Sequence, residues 1–284
     1  MSYDAVRMIK NVLSEIDLWM GAAVSLETWK YSNNSNGAVG RQGVETAEDW
    51  SSTRRKGSTL RGTDGSELDN DERYIRYILG VESINVIGAL SLAKVFDFSP
   101  YNSIFEIGCG DMAQAYVIHR LYPHIRYVAT DLDPYVIDRC TRLPALAGIE
   151  KRVLDVLSIP DGNPPFAGFD LLVSWGMEYA LDDAQLSRLL HIVRGAHIPY
   201  LLCSATTIGL LRYGVSRIGE KRKRALVDQG KLRMTGWRRS VGKLRRLAQQ
   251  AGFETRCLGL FGYHFCLHLN PSANFSQSLA RHTT

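Results

Sequence analysis

The sequence predicts an α/β fold: a doubly wound, mostly parallel seven-stranded sheet that ends in an antiparallel hairpin and follows a helical N-terminal extension. Three observations carry that expectation. From Ile104 onward, short apolar runs alternate with segments of helical period, the pattern of a parallel sheet covered on both faces. The first run enters a glycine turn, Gly108-Cys-Gly110, that opens a helix. The last two runs, 255–261 and 263–269, are separated only by Gly262, which calls for a tight hairpin rather than a crossover.

Each element follows from local chemistry. Residues 4–30 predict an amphipathic helix with Asp4 as N-cap; Ala5, Ile9, Val12, Ile16 and Trp19 recur at helical spacing along one face. Residues 31–71 are rich in Asn, Ser, Gly, Thr and charge, as in Ser32-Asn-Asn-Ser-Asn-Gly37, and predict a mobile loop or linker, the alternative being a lid that orders when substrate binds. Helical period returns over 71–95, with Tyr74, Tyr77, Ile78, Val81, Ile84 and Ile87 in one stripe. The expected division is an extension over 1–84, a main domain over 85–270 and a polar tail over 271–284. Within the main domain the expected strands are 104–107, 125–131, 152–156, 169–175 and 199–204, before the hairpin. Helices are expected over 112–121, 134–143, 182–193 and 240–251, the last ended by Gly252.

Composition narrows the class. With 45% hydrophobic and 22% charged residues, the chain has the balance of a soluble globular protein. Five cysteines, an odd number without metal-type spacing, predict neither a disulfide framework nor a metal site; Cys109 reads as a small buried filler of the turn. No apolar run approaches the ~20 residues a membrane span needs, and Met1-Ser-Tyr-Asp4 lacks the look of a signal peptide, so a cytoplasmic protein is expected. The net charge of +5 is uneven. Residues 205–246 hold thirteen Lys and Arg against Glu220 and Asp228, and the rest of the chain is net acidic.

The strand ends carry the chemistry. Glu106, two residues before the first glycine, would repel a pyrophosphate and suits a cationic or hydroxyl-bearing ligand. Asp131 ends the next strand, 23 positions beyond Gly108, where an acid accepts hydrogen bonds from a ribose diol. Asp155 follows on the third strand, placed to accept from an adenine amino group, and the fourth ends on Ser174-Trp175. Polar groups on four successive strand ends amount to a nucleoside site.

Glu106-Ile-Gly-Cys-Gly110, Asp131-Leu-Asp-Pro134, Asp155-Val156 and Phe169-Asp-Leu-Leu-Val-Ser174 resemble the successive motifs of class I S-adenosylmethionine-dependent methyltransferases, over roughly residues 85–270. The resemblance implies that Glu106, Gly108, Cys109 and Gly110 line the methionine end of S-adenosyl-L-methionine. It implies that Asp131 holds the ribose, Leu132 packs on the adenine, Asp155 and Val156 frame the adenine edge, and Ser174 and Trp175 border the transferred methyl. Where the family often has a third glycine, this chain has Met112. The glycine turn also satisfies the dinucleotide pattern G-x-G-x-x-G/A, so a nicotinamide-dependent oxidoreductase is the rival; Glu106, Asp155 and the terminal hairpin speak against it. Asn163-Pro-Pro-Phe166, which resembles the tetrad of amide and amine methyltransferases, precedes the fourth strand rather than following it and is expected to be a surface turn.

After the fourth strand, Glu178-Tyr179 occupies the last two places of a Leu-Glu-His-like triplet of small-molecule methyltransferases, with Tyr for the commoner His. These two are the catalytic candidates; the histidines fall elsewhere, and no base is assigned. The expected acceptor is an oxygen or nitrogen of a small or glycan-like, anionic molecule, drawn by the basic insertion over about 205–240, which in the family lies over the acceptor site. Alternatives are an RNA methyltransferase using that segment, a peripheral contact with an anionic membrane, and a non-catalytic cofactor-binding protein. Aromatic interleaving there is limited to Tyr213 and Trp237, which does not favour nucleic acid.

Overall fold

In the computed structural model the described residues are 16–17, 20–33, 71–79, 84–160, 162–204, 207–229, 231–259 and 265–272. In chain order they form β1 (Glu27–Asn33), α1 (Asp71–Leu79), α2 (Ile84–Val95), β2 (Ser103–Ile107), α3 (Ala113–Leu121), β3 (Arg126–Asp131), α4 (Pro134–Thr141), β4 (Glu150–Val153), β5 (Leu171–Trp175) and α5 (Asp183–Gly195). There follow β6 (Tyr200–Ser204), α6 (Leu210–Ile218), α7 (Glu220–Asp228), β7 (Leu232–Arg239), α8 (Val241–Gln250), β8 (Phe253–Gly259) and β9 (Phe265–Pro271). Seven strands make the main sheet in the order β4-β3-β2-β5-β6-β9-β8, and β1 and β7 make a separate two-stranded sheet. The first five strands of the main sheet run parallel; β9 is antiparallel to β6 and to β8. The predicted mixed sheet with its terminal hairpin is the observed one.

Strand composition explains the layering. All five residues of β5 and of β6 are buried, as are four of the five in β2, because helices cover both faces. One face packs Ile104, Tyr127, Leu171 and Val173 against Leu92, Ala113 and Ile118 of α2 and α3. The other packs Phe105, Ile107, Leu172 and Leu202 against Leu186 and Leu190 of α5 and Leu244 of α8. Helix starts follow their caps. Asp133 accepts from the Tyr135 amide with Pro134 at the first helical position, Asp182 and Gln185 form a capping box, and Ser240 accepts from the Lys243 amide.

Order reverses at β2: the chain runs outward through β3 and β4, then returns to lay β5 on the other side. Ligands of open α/β sheets sit at the carboxyl ends of the strands at such a point.

The N-terminal third differs from expectation. Residues 20–22 are helical, but the helix expected to 30 gives way to β1, which pairs antiparallel with β7 from Glu27↔Arg239 to Asn33↔Leu232. Thr28, Trp29 and Tyr31 favour an extended chain once a partner strand is present, and that partner lies some 200 positions away, inside the basic insertion. The stripe over 71–95 is two helices, α1 and α2. Residues 1–15, most of the polar segment (34–70), the hairpin tip with Gly262, and the tail beyond 272 lie outside the described residues. Phe166 of the expected surface turn is fully buried, edge-on to Phe105 at 5.9 Å, so that turn is anchored in the core.

Candidate functional site

β2 delivers the chain to the glycine turn with Glu106 fully buried on the face it shares with Ile104. The neighbouring strand places Tyr127 on that face, and its hydroxyl donates to Glu106 Oε2 at 3.0 Å. Glu106 Oε1 is buried without a hydrogen-bond partner. Burial in this apolar layer pushes the Glu106 carboxyl up to about 8; the Tyr127 bond works the other way, and the charges of Asp111 and Asp131 reinforce the rise. Glu106 is thus a protonated acid at neutral pH, poised to ionise where a positive charge approaches.

The turn itself is left-handed at three positions: Gly108 (φ 71), Gly110 (φ 56) and Met112 (φ 59). A Cβ at Gly108 would meet the Met177 side chain at 2.8 Å, so the glycine lets the loop after β5 lie against the turn. A Cβ at Gly110 would meet nothing within 4 Å, so that side of the turn opens on space. Met112 takes the conformation that a third glycine would allow, its side chain fully buried in the α2–α3 layer. Cys109 is buried, with its amide donating to the Thr130 carbonyl at 2.9 Å, in keeping with a filler of the turn. Two further groups hold the turn. The buried Tyr74 hydroxyl of α1 donates to the Asp111 carbonyl at 2.9 Å, and the Asp111 side chain accepts from the Ala113 amide. In sequence, Tyr74 belongs to an apolar stripe that reads as core packing, with Tyr74 and Tyr77 the members that could reach a cofactor or substrate.

Asp131 ends β3 almost fully buried. Its Oδ2 accepts from the Gly110 amide at 2.9 Å and its Oδ1 from the Asp133 amide at 3.0 Å, tying the β3 end to the glycine turn. Beside it, the Leu154 amide donates to the Asp131 carbonyl at 2.9 Å, which brings the end of β4 alongside. Asp155 caps the single turn Val156–Ser158, accepting from the Leu157 amide at 2.9 Å. Leu132, Asp155 and Val156 are half-buried. Glu106, Gly108, Gly110, Asp131 and Asp155 therefore line successive strand ends at one edge.

The β5 end divides its two residues between the faces. Trp175 falls on the Glu106 face, packed against Gly88 of α2, where a Cβ would come within 2.4 Å of the indole. Ser174 falls on the other face, fully buried, with its hydroxyl 2.5 Å from that of Tyr200. The structure thus brings Trp175, but not the Ser174 hydroxyl, to the glycine-turn face. Glu178 and Tyr179 lie in a short turn, Glu178–Ala180. Glu178 is buried, and the ammonium of Lys30 on β1 stands 3.8 Å over the Tyr179 ring. On β7, a Cβ at Gly236 would clash with the Tyr179 carbonyl at 2.1 Å.

What fixes this loop is Arg239, a member of the basic segment whose composition suggests ligand-attracting cations. It is 2% exposed. Its Nε donates to Glu27 (3.0 Å) and Asp183 (2.9 Å), and its Nη atoms to the Glu178 and Leu181 carbonyls, each at 2.8 Å. One guanidinium joins β1, β7, the loop after β5 and the start of α5. Burial and a shared hydrogen bond with Asp183 raise the Glu27 carboxyl.

No described histidine reaches this edge. His119 is near the carboxyl end of α3, His124 precedes β3, His191 lies within α5, His197 precedes β6, and His268 pairs with Leu201 in the amino-terminal half of β6. No group of three or more His, Cys, Asp or Glu among the described residues is arranged to hold a metal.

The O-methyltransferase domain family matches residues 63–254. No curated protein matches in sequence. Among solved structures, the mitomycin 7-O-methyltransferase is similar with a TM-score of 0.52 and 18% identity, over 71% of this chain and 58% of that one. Human N-acetylserotonin methyltransferase, in complex with S-adenosylmethionine, gives 0.51 and 16% over 72% and 57%. The N,N-8-amino-8-demethyl-D-riboflavin dimethyltransferase of Streptomyces davawensis gives 0.50 and 19% over 71% and 58%. The likeness is one of fold, and this chain spans under three fifths of each of those three.

Proposed function

Because the chain belongs to the O-methyltransferase family, we propose that it is a class I S-adenosylmethionine-dependent methyltransferase acting on an oxygen, or by close analogy a nitrogen, of a small-molecule acceptor. The observation that carries this is the glycine turn at the point where strand order reverses, flanked by a buried, half-unpartnered Glu106 and by Asp131 on the next strand end. A dinucleotide would bring a pyrophosphate to that turn, against the carboxylates of Asp111 and Asp131; a cationic sulfonium and a neutral ribose suit them and the ionisable Glu106.

The residues present fit the cofactor. The orphaned Glu106 Oε1 and the open side of Gly110 provide an acceptor and room at the turn. Glu106, Gly108 and Gly110 would hold the methionine end, Asp131 and Leu132 the ribose and adenine, and Asp155 and Val156 the adenine edge. S-adenosylmethionine, when bound, supplies an electrophilic methyl on sulfur. The protein's own part is alignment and exclusion of water. Arg239 fixes the loop that carries Glu178 and Tyr179, and Trp175 and Met177 form an apolar wall beside the turn. Tyr179 sits where the family triplet often has His, with a lysine ammonium over its ring, and no described histidine reaches this edge. We therefore expect an acceptor whose own hydroxyl or amine needs little help to lose a proton.

The mitomycin enzyme is named for oxygen methylation and the riboflavin-derivative enzyme for dimethylation, so a heteroaromatic or phenolic acceptor is the class to screen first. The direct test is thermal unfolding and calorimetry with S-adenosylmethionine, S-adenosylhomocysteine and NAD, on the native chain and on Asp131→Asn. Saturating ligand at ~100 times its dissociation constant adds about 2.7 kcal/mol. Stabilisation by the adenosyl ligands, weakened at least tenfold in affinity by Asp131→Asn, supports the proposal. Stabilisation by NAD alone refutes it.

A further inference from the structure

α6 leaves an apolar stripe in water. Leu211, Val215 and Ile218 recur at i, i+4 and i+7, one face of the helix, and are 60%, 72% and 87% exposed. The apolar residues that recur at helical spacing on α5 and α8 pack on the sheet; these three are exposed. Arg212 and Arg217 flank the stripe, and α7 continues directly with Lys221, Arg222, Lys223 and Arg224. The acids of the two helices are Asp228, at the far end, and Glu220, which is buried and bonded to Arg217 at 2.6 Å and Arg224 at 2.8 Å.

The helix is held rigidly at its base. The buried Asp17 accepts from the Leu211 amide at 2.6 Å, and a Cβ at Gly209 would meet Asp17 Cγ at 2.2 Å. The Ile208 amide donates to the Arg239 carbonyl, so α6 starts next to the residue that fixes the loop after β5.

We propose that α6 and α7 form a docking surface for an anionic lipid bilayer, with Leu211, Val215 and Ile218 entering the headgroup boundary and the flanking Arg and Lys meeting lipid phosphates. An apolar face bordered by cations is the composition of an interfacial helix, and the two terms, apolar burial and attraction to anionic lipid, act together. A second copy fits worse: a symmetric contact through this face would set one cation cluster against its own image. A nucleic acid would leave the aliphatic stripe unused, since Tyr213 is the only aromatic of α6 and α7 for stacking. The surface stands independently of the methyl-transfer reading.

The test is co-sedimentation of the full chain with vesicles of phosphatidylcholine alone and of phosphatidylcholine with phosphatidylglycerol, at low salt and at ~1 M, where screening shortens to about 3 Å. Two variants, Leu211→Ser/Val215→Ser/Ile218→Ser and Lys221→Glu/Arg222→Glu, alter exposed side chains only, and their unfolding midpoints report that the fold is kept. The expected result is binding to the anionic vesicles, lost in high salt and weakened roughly tenfold or more by each variant. Three results would overturn the proposal. One is no vesicle binding by the native chain. Another is a dimer in sedimentation velocity that the triple-serine variant makes monomeric. The third is tight binding of single-stranded RNA that displaces vesicles and is lost only with the charge-reversal pair.

Discussion

Glu106→Gln isolates the one buried acid of the site that burial has made a weak acid. The substitution keeps shape and removes titration, so the difference between native and variant chains reports Glu106 alone. In the folded chain the carboxyl titrates at about 8, against 4.5 for an ordinary Glu. The folded state therefore holds a proton that the unfolded state releases throughout that window. Stability from Glu106 is fully present below about 4.5 and is lost as pH rises toward 8. Holding that proton across one pH unit is worth ~1.4 kcal/mol, which sets a ceiling on the order of 5 kcal/mol for the whole window. At 2–4 °C per kcal/mol for a domain this size, the native midpoint should fall relative to Glu106→Gln by roughly 10 °C between pH 5 and pH 8. The same proton gives a second readout. A cationic ligand favours the carboxylate, so at pH 7 binding of S-adenosylmethionine should release a proton from the native chain, seen as a buffer-dependent enthalpy. S-adenosylhomocysteine, which lacks the sulfonium, should release less, and Glu106→Gln should release none. Parallel midpoint curves together with equal proton release in both chains would refute the assignment of Glu106 as a neutral acid awaiting a cation.

Other substitutions probe the frame. At Met112 the left-handed backbone favours glycine, while the buried side chain favours methionine. Met112→Ala loses packing without relieving the backbone, so it should unfold about 1 kcal/mol less stably than Met112→Gly, with both below the native chain, in urea titrations. The opposite order would show that the strain is absent. Arg239→Met leaves Glu27, Asp183 and two carbonyls without their shared donor and should cost about 3–5 kcal/mol in the same assay. Any methyl transfer should fall through loss of alignment of the 178–181 loop, with adenosyl-ligand affinity little changed. Ser240→Ala removes both the α8 cap and the bonds to Val24 and Leu26, for about 1–2 kcal/mol, and should raise proteolysis of residues 20–33.

Local chemistry explains which parts of this fold were legible. Strands buried on both faces read as apolar runs, and caps such as Asp133-Pro134 and Asp182 with Gln185 mark helix starts from neighbouring residues alone. The glycine turn is legible for the same reason: the residues that bend it and the acid before it lie within five positions. Met112 is visible as a departure but not as a strained residue, because methionine carries no sign of the φ it adopts.

What could not be read depends on distant partners. Whether residues 27–33 extend or coil depends on β7, and β7 is hidden in a segment whose charge suggests solvent. Arg239 shows why charge counting misleads there. It shares its sign with Arg222, yet its four bonds reach positions 27, 178, 181 and 183, so its charge is neutralised inside the protein. Arg222, by contrast, is exposed. The basic segment is thus two devices joined end to end. Its β7 end is a strut that sets the loop after β5 by pairing with the N-terminal strand. At its α6–α7 end Arg217 and Arg224 bond Glu220, while Lys221 and Arg222 are exposed. The Ile208 amide, bonded to the Arg239 carbonyl, is one link between the two ends. Charge reversal at Lys221 and Arg222 should accordingly leave adenosyl-ligand affinity unchanged in calorimetry. A loss there would mean that the outer cations reach the site, and the division into strut and surface would fail.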